Sequence, residues 1–318
     1  MRQKRFLALI AAVALTFGLV GCQGNITEEQ VDTEQITVET TTAGTNLTDN
    51  EAEQKQADLN REENSDSILI REKVSLTNAS ETDLEALSKY DSIKKLDLTY
   101  DDTPETDFGI LKELEIERLI VSGVNAADLA VVSEIKGLKK LYLDDCVIGD
   151  FSFLAESSVE SLSVSNCEIG EMYFPDGLDR LEYLGISQLP LETLDGISAL
   201  KNLRCLDLYQ TGIMDISPLE NVQSLETLFL AENNIEDISA IGKLPKLTNL
   251  EVRAKSVNDF DVLSQVRTLE KLDISNNELC DISFLENMQQ LKELSANNCS
   301  ISDIGCIGNL IDLEVLYL

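Results

Sequence analysis

The stretch LRCLDLYQTGIMDISPLENVQS, from Leu203 to Ser224, is followed directly by LETLFLAENNIEDISAIGKLPK, from Leu225 to Lys246. Laid one over the other, the two share apolar residues at positions one, four and six, a small polar residue at nine (Thr211, Asn233), and apolar residues again at eleven, fourteen, seventeen and twenty. The period is 22 residues, and stepping by it reaches Leu247, Leu269, Leu291 and Leu313 in one direction and Leu181 and Val159 in the other. With single steps of 21 or 23 the series continues through Leu138, Ile116 and Ile93 to a degenerate unit at Arg71, where Val74 and Leu76 hold positions four and six. The chain therefore reads as eleven full units and a stub.

Alternation around positions four and six is the period of a strand with one buried face, and the change to spacings of three afterwards is that of a tight helical turn. A short strand and a 3₁₀ or short α turn every 22 residues predict an α/β repeat solenoid. Its form is a leucine-rich-repeat horseshoe, with a parallel β-sheet on the concave face and turns on the convex face. No unit can bury its own apolar side chains, so each must lean on its neighbours. Position nine, where the chain leaves the strand, needs a side chain that bonds buried backbone. Asn233, Asn277 and Thr211 suit that task, and Cys146, Cys167 and Cys299 fill the same slot. Position thirteen carries Asp128, Asp150, Asp215, Asp237, Asp259, Asp281 and Asp303, which we read as N-caps of the convex turns. The D-I-S wording at Asp215, Asp237 and Asp281, each with an apolar residue two places further on, resembles the 22-residue repeats of bacterial internalins and related leucine-rich-repeat proteins. This resemblance runs from about Arg71 to Leu318. It implies a binding surface whose target is set by exposed residues.

The N-terminus has Arg2, Lys4 and Arg5 ahead of an apolar run from Phe6 to Val20, the basic and hydrophobic regions of a secretory signal peptide over residues 1–21. Leu19-Val20-Gly21-Cys22 resembles the lipobox of bacterial lipoproteins, which implies cleavage before Cys22 and a lipid on its thiol. The expected location is thus a bacterial cell membrane, lipid-anchored and facing outside the cytoplasm. Residues 22–66 follow, with twelve acidic residues against Lys55 and Arg61 and few large apolar ones. Such a composition predicts a disordered acidic tether, with a reach of about 35 to 40 Å. Residues 67–92 form an N-terminal capping unit. In it Thr82-Asp83-Leu84-Glu85 reads as a capping box for a helix to about Lys89 that covers the edge of the stack. The solenoid proper is 93–318. It stops at the sixth position of a unit, with Leu316 and Leu318 in buried strand slots, and we read it as truncated at its C-terminal end.

Composition narrows the function. A net charge of −33 opposes nucleic acid and anionic membrane surfaces as partners, since both require a basic footprint. The chain has no His, which removes Ser-His-Asp and Cys-His nucleophile arrangements and the usual zinc sites. No phosphate-binding Gly motif follows a strand, and no loop has the ligand sequence of an EF-hand. We expect no enzyme, no cofactor and no metal. Of the seven cysteines, Cys146 and Cys167 share position nine in adjacent units, where they are either separate ladder thiols or a disulfide across neighbouring strands.

Positions three, five and seven point away from the core onto the concave face. Position three gives a basic row, Lys95, Arg118 and Lys140, with Asp97 and Asp144 near enough to pair locally. At position five Ile120 and Tyr142 are adjacent. Tyr183, Tyr209 and Phe229 follow around Gly185, which leaves a depression open to a ligand group. Large side chains in non-core slots are the usual anchors of recognition surfaces, although cross-strand packing alone also accounts for them. Two functions fit: a surface-displayed module binding a protein or glycan on its concave face, and a docking or spacer arm for a catalytic or wall-binding domain beyond Leu318.

Overall fold

A computed structural model describes residues 68–318 apart from Lys255 and Asn258. The signal peptide, Cys22 and the acidic tether lie outside the described residues. Twelve strands form one parallel sheet, one per repeat. They are β1 (Ile70–Thr77), β2 (Ser92–Thr99), β3 (Glu115–Ser122), β4 (Lys140–Asp144), then β6 (Ser161–Ser165), β8 (Tyr183–Ser187) and β9 (Cys205–Tyr209). The series ends with β10 (Thr227–Phe229), β11 (Asn249–Glu251), β12 (Lys271–Asp273), β13 (Glu293–Ser295) and β14 (Val315–Tyr317). Each pairs with the strands before and after it in the order of the chain. Two short strands, β5 (Val147–Ile148) and β7 (Glu168–Ile169), pair separately. The register equals the repeat: Leu206 faces Leu228, Leu228 faces Leu250 and Leu250 faces Leu272. The protein is a leucine-rich-repeat horseshoe with single 3₁₀ turns on its convex side.

The core lies between the sheet and those turns. Positions one, four and six (Leu203, Leu206, Leu208) are fully buried, and so are Ile216 and Leu219 from the convex turn. Position nine works as the sequence suggests, with one bond repeated down the stack. Asn233 Nδ2 donates to Leu208 O at 2.7 Å and Asn277 Nδ2 to Val252 O at 2.7 Å. The thiols of Cys146 and Cys299 reach the equivalent carbonyls of Val121 and Ile274 at 3.7 and 3.3 Å. Cys146 and Cys167 are free thiols, and Cys167 Sγ accepts from the Cys146 amide at 3.3 Å. Its partnership with Cys146, together with burial, pushes the Cys167 thiol far above its ordinary range.

Position eight, just ahead of that ladder, is left-handed in most units. Asn78, Asp145, Asn166, Gln188, Gln210, Glu232, Asn276 and Asn298 have φ between 52° and 62°, and Gly123 has φ 79°. At Gly123 a β-carbon would also lie 2.1 Å from the Tyr100 carbonyl oxygen, so glycine is required there twice over.

The acidic column at position thirteen acts one residue outside the formal cap. Asp215, Asp237 and Asp281 each accept from the first amide of the 3₁₀ turn, at 2.8 Å. Asp128 departs from the expectation: it lies inside its turn, which has no side-chain cap, and accepts from Asn125 N at 3.0 Å, while Asn125 Oδ1 accepts from Ala127 N, the residue before the turn.

Three other expectations change. The capping box is Ser80 with Asp83, two residues earlier than Thr82 with Glu85, and it opens the helix α1 (Glu81–Glu85), which continues as 3₁₀ to Lys89. An earlier start turns Leu84 fully into the core. The helix is the convex segment of the first unit and packs on the convex turn of the second, so among the described residues it does not cover the edge of β1. At the other end Leu316 and Leu318 are 40 % and 52 % exposed, because a strand in a stack is buried by neighbours on both sides and β14 has one.

Candidate functional site: the concave face

Because the register is regular, three outward columns run straight across the sheet. In the central one, position five, Asp97, Ile120, Tyr142, Ser163, Gly185, Asp207, Phe229, Glu251 and Asp273 are successive cross-strand partners. Position three runs parallel to it through Lys95, Arg118, Lys140, Ser161, Tyr183 and Cys205. Tyr209 belongs to position seven, opposite Ser187.

The expected neighbours Ile120 and Tyr142 face each other, and, as the sequence reading did not foresee, the Arg118 guanidinium lies 5.9 Å from the centre of the Tyr142 ring. Tyr142, Tyr209 and Phe229 are half-buried. Among the described residues the ring contacts are Tyr100 with Phe108, Phe151 with Phe153 and Phe174, and Phe260 with Phe284, and none joins two concave aromatics. Tyr183 behaves differently. Its ring turns back across Gly185, where a β-carbon would lie 2.7 Å from the tyrosine hydroxyl. The depression expected at Gly185 is therefore filled, and Tyr183 forms the floor of the face. Burial, with Asp207 and Tyr142 nearby, raises its hydroxyl well above the ordinary phenol range.

The basic row is longer than its sequence reading. Lys73, in the degenerate first unit, faces Lys95 in register, so four cations stand side by side. Among the described residues Asp144 forms no ion pair with the row; its carboxylate accepts from Asn166 Nδ2 at 2.8 Å. Asp97 is the acid facing the row; burial raises its carboxyl, and Lys95 and Lys73 oppose that rise.

An acidic end balances this basic one. Burial pushes Asp207 up to about 7. Burial, with Asp273 and Asp207 nearby, also brings Glu251 to about 7 against the opposing pull of Arg253. The Arg253 guanidinium is 2.6 Å from Glu251 and 3.4 Å from Asp273. Reading position five as one column down the repeats would have found its acids, Asp207, Glu251 and Asp273; Arg253 stands at position seven. A shallow depression on the convex side, lined by Met214, Asp215, Glu236 and Asp237, lies apart from all these residues.

No family model matches the chain, and no curated protein matches it either. Among solved structures it is similar to an internalin (inlF) from Listeria monocytogenes, with 20 % identity, a TM-score of 0.58, and coverage of 77 % of this chain and 86 % of that one. It is also similar to an internalin C2 from the same organism, at 26 % identity and a TM-score of 0.51, over 61 % and 84 % of the two chains. A plant peptide hormone receptor, RGFR1 in complex with RGF2, aligns at 19 % identity and a TM-score of 0.54, over 76 % of this chain and 42 % of the receptor. These likenesses support the leucine-rich-repeat nature of the chain; the similar proteins are two internalins and a peptide hormone receptor.

Proposed function

We propose that the protein is a recognition module that takes a protein ligand on its concave face, displayed outside the cytoplasm on a bacterial cell membrane through a lipid on Cys22. The observation carrying the first part is the set of half-buried, outward-facing rings of Tyr142, Tyr209 and Phe229, none of which packs on another. Large rings with one free face are the kind of anchor that partners bury. From β4 to β10 they span about 20 Å of sheet, enough for a loop or peptide segment. The lipobox-like residues before Cys22 support the anchor, because acyl chains contribute about 0.8 kcal/mol per buried methylene.

The test pairs Tyr209→Ser with Phe229→Ser in a pull-down from host-cell, mucin and wall-glycan extracts, with captured proteins identified by mass spectrometry. We expect capture to be lost and the melting temperature to hold. Retained capture with a lowered melting temperature would make the rings structural, and capture of glycan alone would change the ligand class. Membrane fractionation of Cys22→Ala examines the anchor separately; a variant that remains in the membrane like its parent removes it.

A further inference from the structure

Cross-strand charges in this solenoid are generally arranged to attract. At position two Lys94 meets Glu72 at 2.9 Å, Arg204 bridges Glu182 and Glu226 at 3.5 and 2.7 Å, and Lys292 meets Glu270 at 2.8 Å. At position three of β12 and β13, Lys271 meets Glu293 at 3.4 Å. Position three of the first four strands does the opposite. Lys73, Lys95, Arg118 and Lys140 are consecutive register partners, and among the described residues no carboxylate oxygen comes within 4.0 Å of their charged groups. Like charges placed directly opposite one another weaken a sheet. Burial pulls the Lys95 ammonium below the ordinary lysine range and Lys73 and Arg118 pull it further against Asp97, while burial and Arg118 do the same to Lys140 against Glu117 and Glu160. A chain of net charge −33 thus keeps on its concave face a basic row with Asp97 nearby but, among the described residues, no carboxylate in contact with it.

The neighbouring column identifies what would neutralise it. Ile120 and Tyr142 face each other at position five, two residues along the strands from Arg118 and Lys140, hence about 6.6 Å to the side. The row itself is about 14 Å long, three strand spacings. An extended peptide lying across the strands between the two columns sends alternate side chains to opposite sides, with a same-side repeat of about 6.6 Å. Three acidic side chains on one side would then span the row, and the intervening apolar ones would meet Ile120 and Tyr142. A bare phosphate or sulfate polymer would satisfy the cations but leave that apolar pair uncovered.

We propose that the concave face over β1–β4 binds an extended acidic segment of a partner protein, with Asp or Glu at alternate positions and apolar residues between them. The proposal rests on the reading of the concave face as the binding face, but uses residues distinct from Tyr209 and Phe229. The test measures fluorescence anisotropy of the full chain with a labelled peptide having an Asp-Leu-Asp-Phe-Asp core. Its controls are the same peptide with Asn for each Asp and a polyphosphate of matched charge. The expected result is binding by the acidic peptide that weakens roughly tenfold on raising the salt to about 0.5 M, and none by the Asn peptide. Arg118→Gln combined with Lys140→Gln should lower affinity about tenfold. Ile120→Ser should weaken the peptide but not polyphosphate, and Lys271→Gln should change nothing. Equal binding of both polyanions with Ile120→Ser silent would overturn the proposal in favour of a general anion surface. Absence of peptide binding overturns it too, and because the Asn peptide leaves the protein unaltered, that comparison survives a variant that fails to fold. If the peptide fails while Tyr209→Ser with Phe229→Ser still abolishes capture, this inference falls and the recognition reading stands.

Discussion

The side-chain oxygen of Asn233 accepts from both the amide and the hydroxyl of Thr211, one unit earlier, at 3.0 and 2.9 Å. Its nitrogen donates to the carbonyls of Leu208 and Ala231 at 2.7 and 3.2 Å, so one carboxamide satisfies groups from two repeats. Asn233 is 6 % exposed and Thr211 1 %, so solvent has little access to these bonds. Asn233→Leu should therefore destabilise the stack by about 1 to 3 kcal/mol. Glu232→Ala, one residue away on the surface, should move stability by less than about 0.5 kcal/mol. Urea melts of both variants check the pair, and equal shifts would mean that the buried ladder does not bear on stability.

Glu232 offers a second prediction of opposite sign. It holds φ 57° in the left-handed region, where a β-carbon costs about 1 to 2 kcal/mol, while glycine costs about 0.5 to 1 kcal/mol in lost chain entropy. Glu232→Gly should consequently stabilise the fold by about 0.5 to 1 kcal/mol. Thermal melts that show no gain would indicate that the turn already relaxes its strain elsewhere.

The repeat register was legible because position matters more than residue type in a stack: Leu206 and Leu228 are 22 apart and face each other. The same arithmetic placed Ile120 against Tyr142 and Arg118 beside Lys140. It missed Lys73 because the first unit lacks most of the leucine pattern, although its strand still pairs over seven residue positions with β2. Position eight went unread in the sequence but could have been found the same way, since Asn78, Gly123, Asp145, Asn166, Asn276 and Asn298 are residue types that tolerate positive φ. Side-chain direction was not legible. Nothing in the spacing tells that the Tyr183 ring folds over Gly185, because that depends on a rotamer chosen by the free space a missing β-carbon leaves. Nor does an outward column reveal its dielectric: Asp97 and Asp207 share position five with solvent-facing side chains, yet both are raised by burial.

Asp207 makes that last point measurable. Its strand neighbours in the column are Gly185 and Phe229, the Tyr183 ring covers the glycine, and burial alone accounts for a carboxyl raised to about 7. In the unfolded chain the same carboxyl titrates near 3.9. Between about pH 4 and 7 the folded state holds a proton that the unfolded state has lost, so stability falls as pH rises through that window and is flat above it. Asp207→Asn keeps the shape and removes the titration. It also takes a negative charge away from Glu251, which Asp207 helps to raise. The variant should match the parent near pH 4 and exceed it by about 1 to 2 kcal/mol at pH 8, allowing for the part of the carboxyl that water still reaches. General repulsion on a chain of net charge −33 acts nearly equally on both proteins, so the difference between them reports Asp207 together with its coupling to Glu251. Urea melts at pH 4, 6 and 8 read it directly. A difference that is the same at all three values would show that Asp207 titrates alike in the folded and unfolded chains, and that this stretch of the concave face is as wet as the open surface.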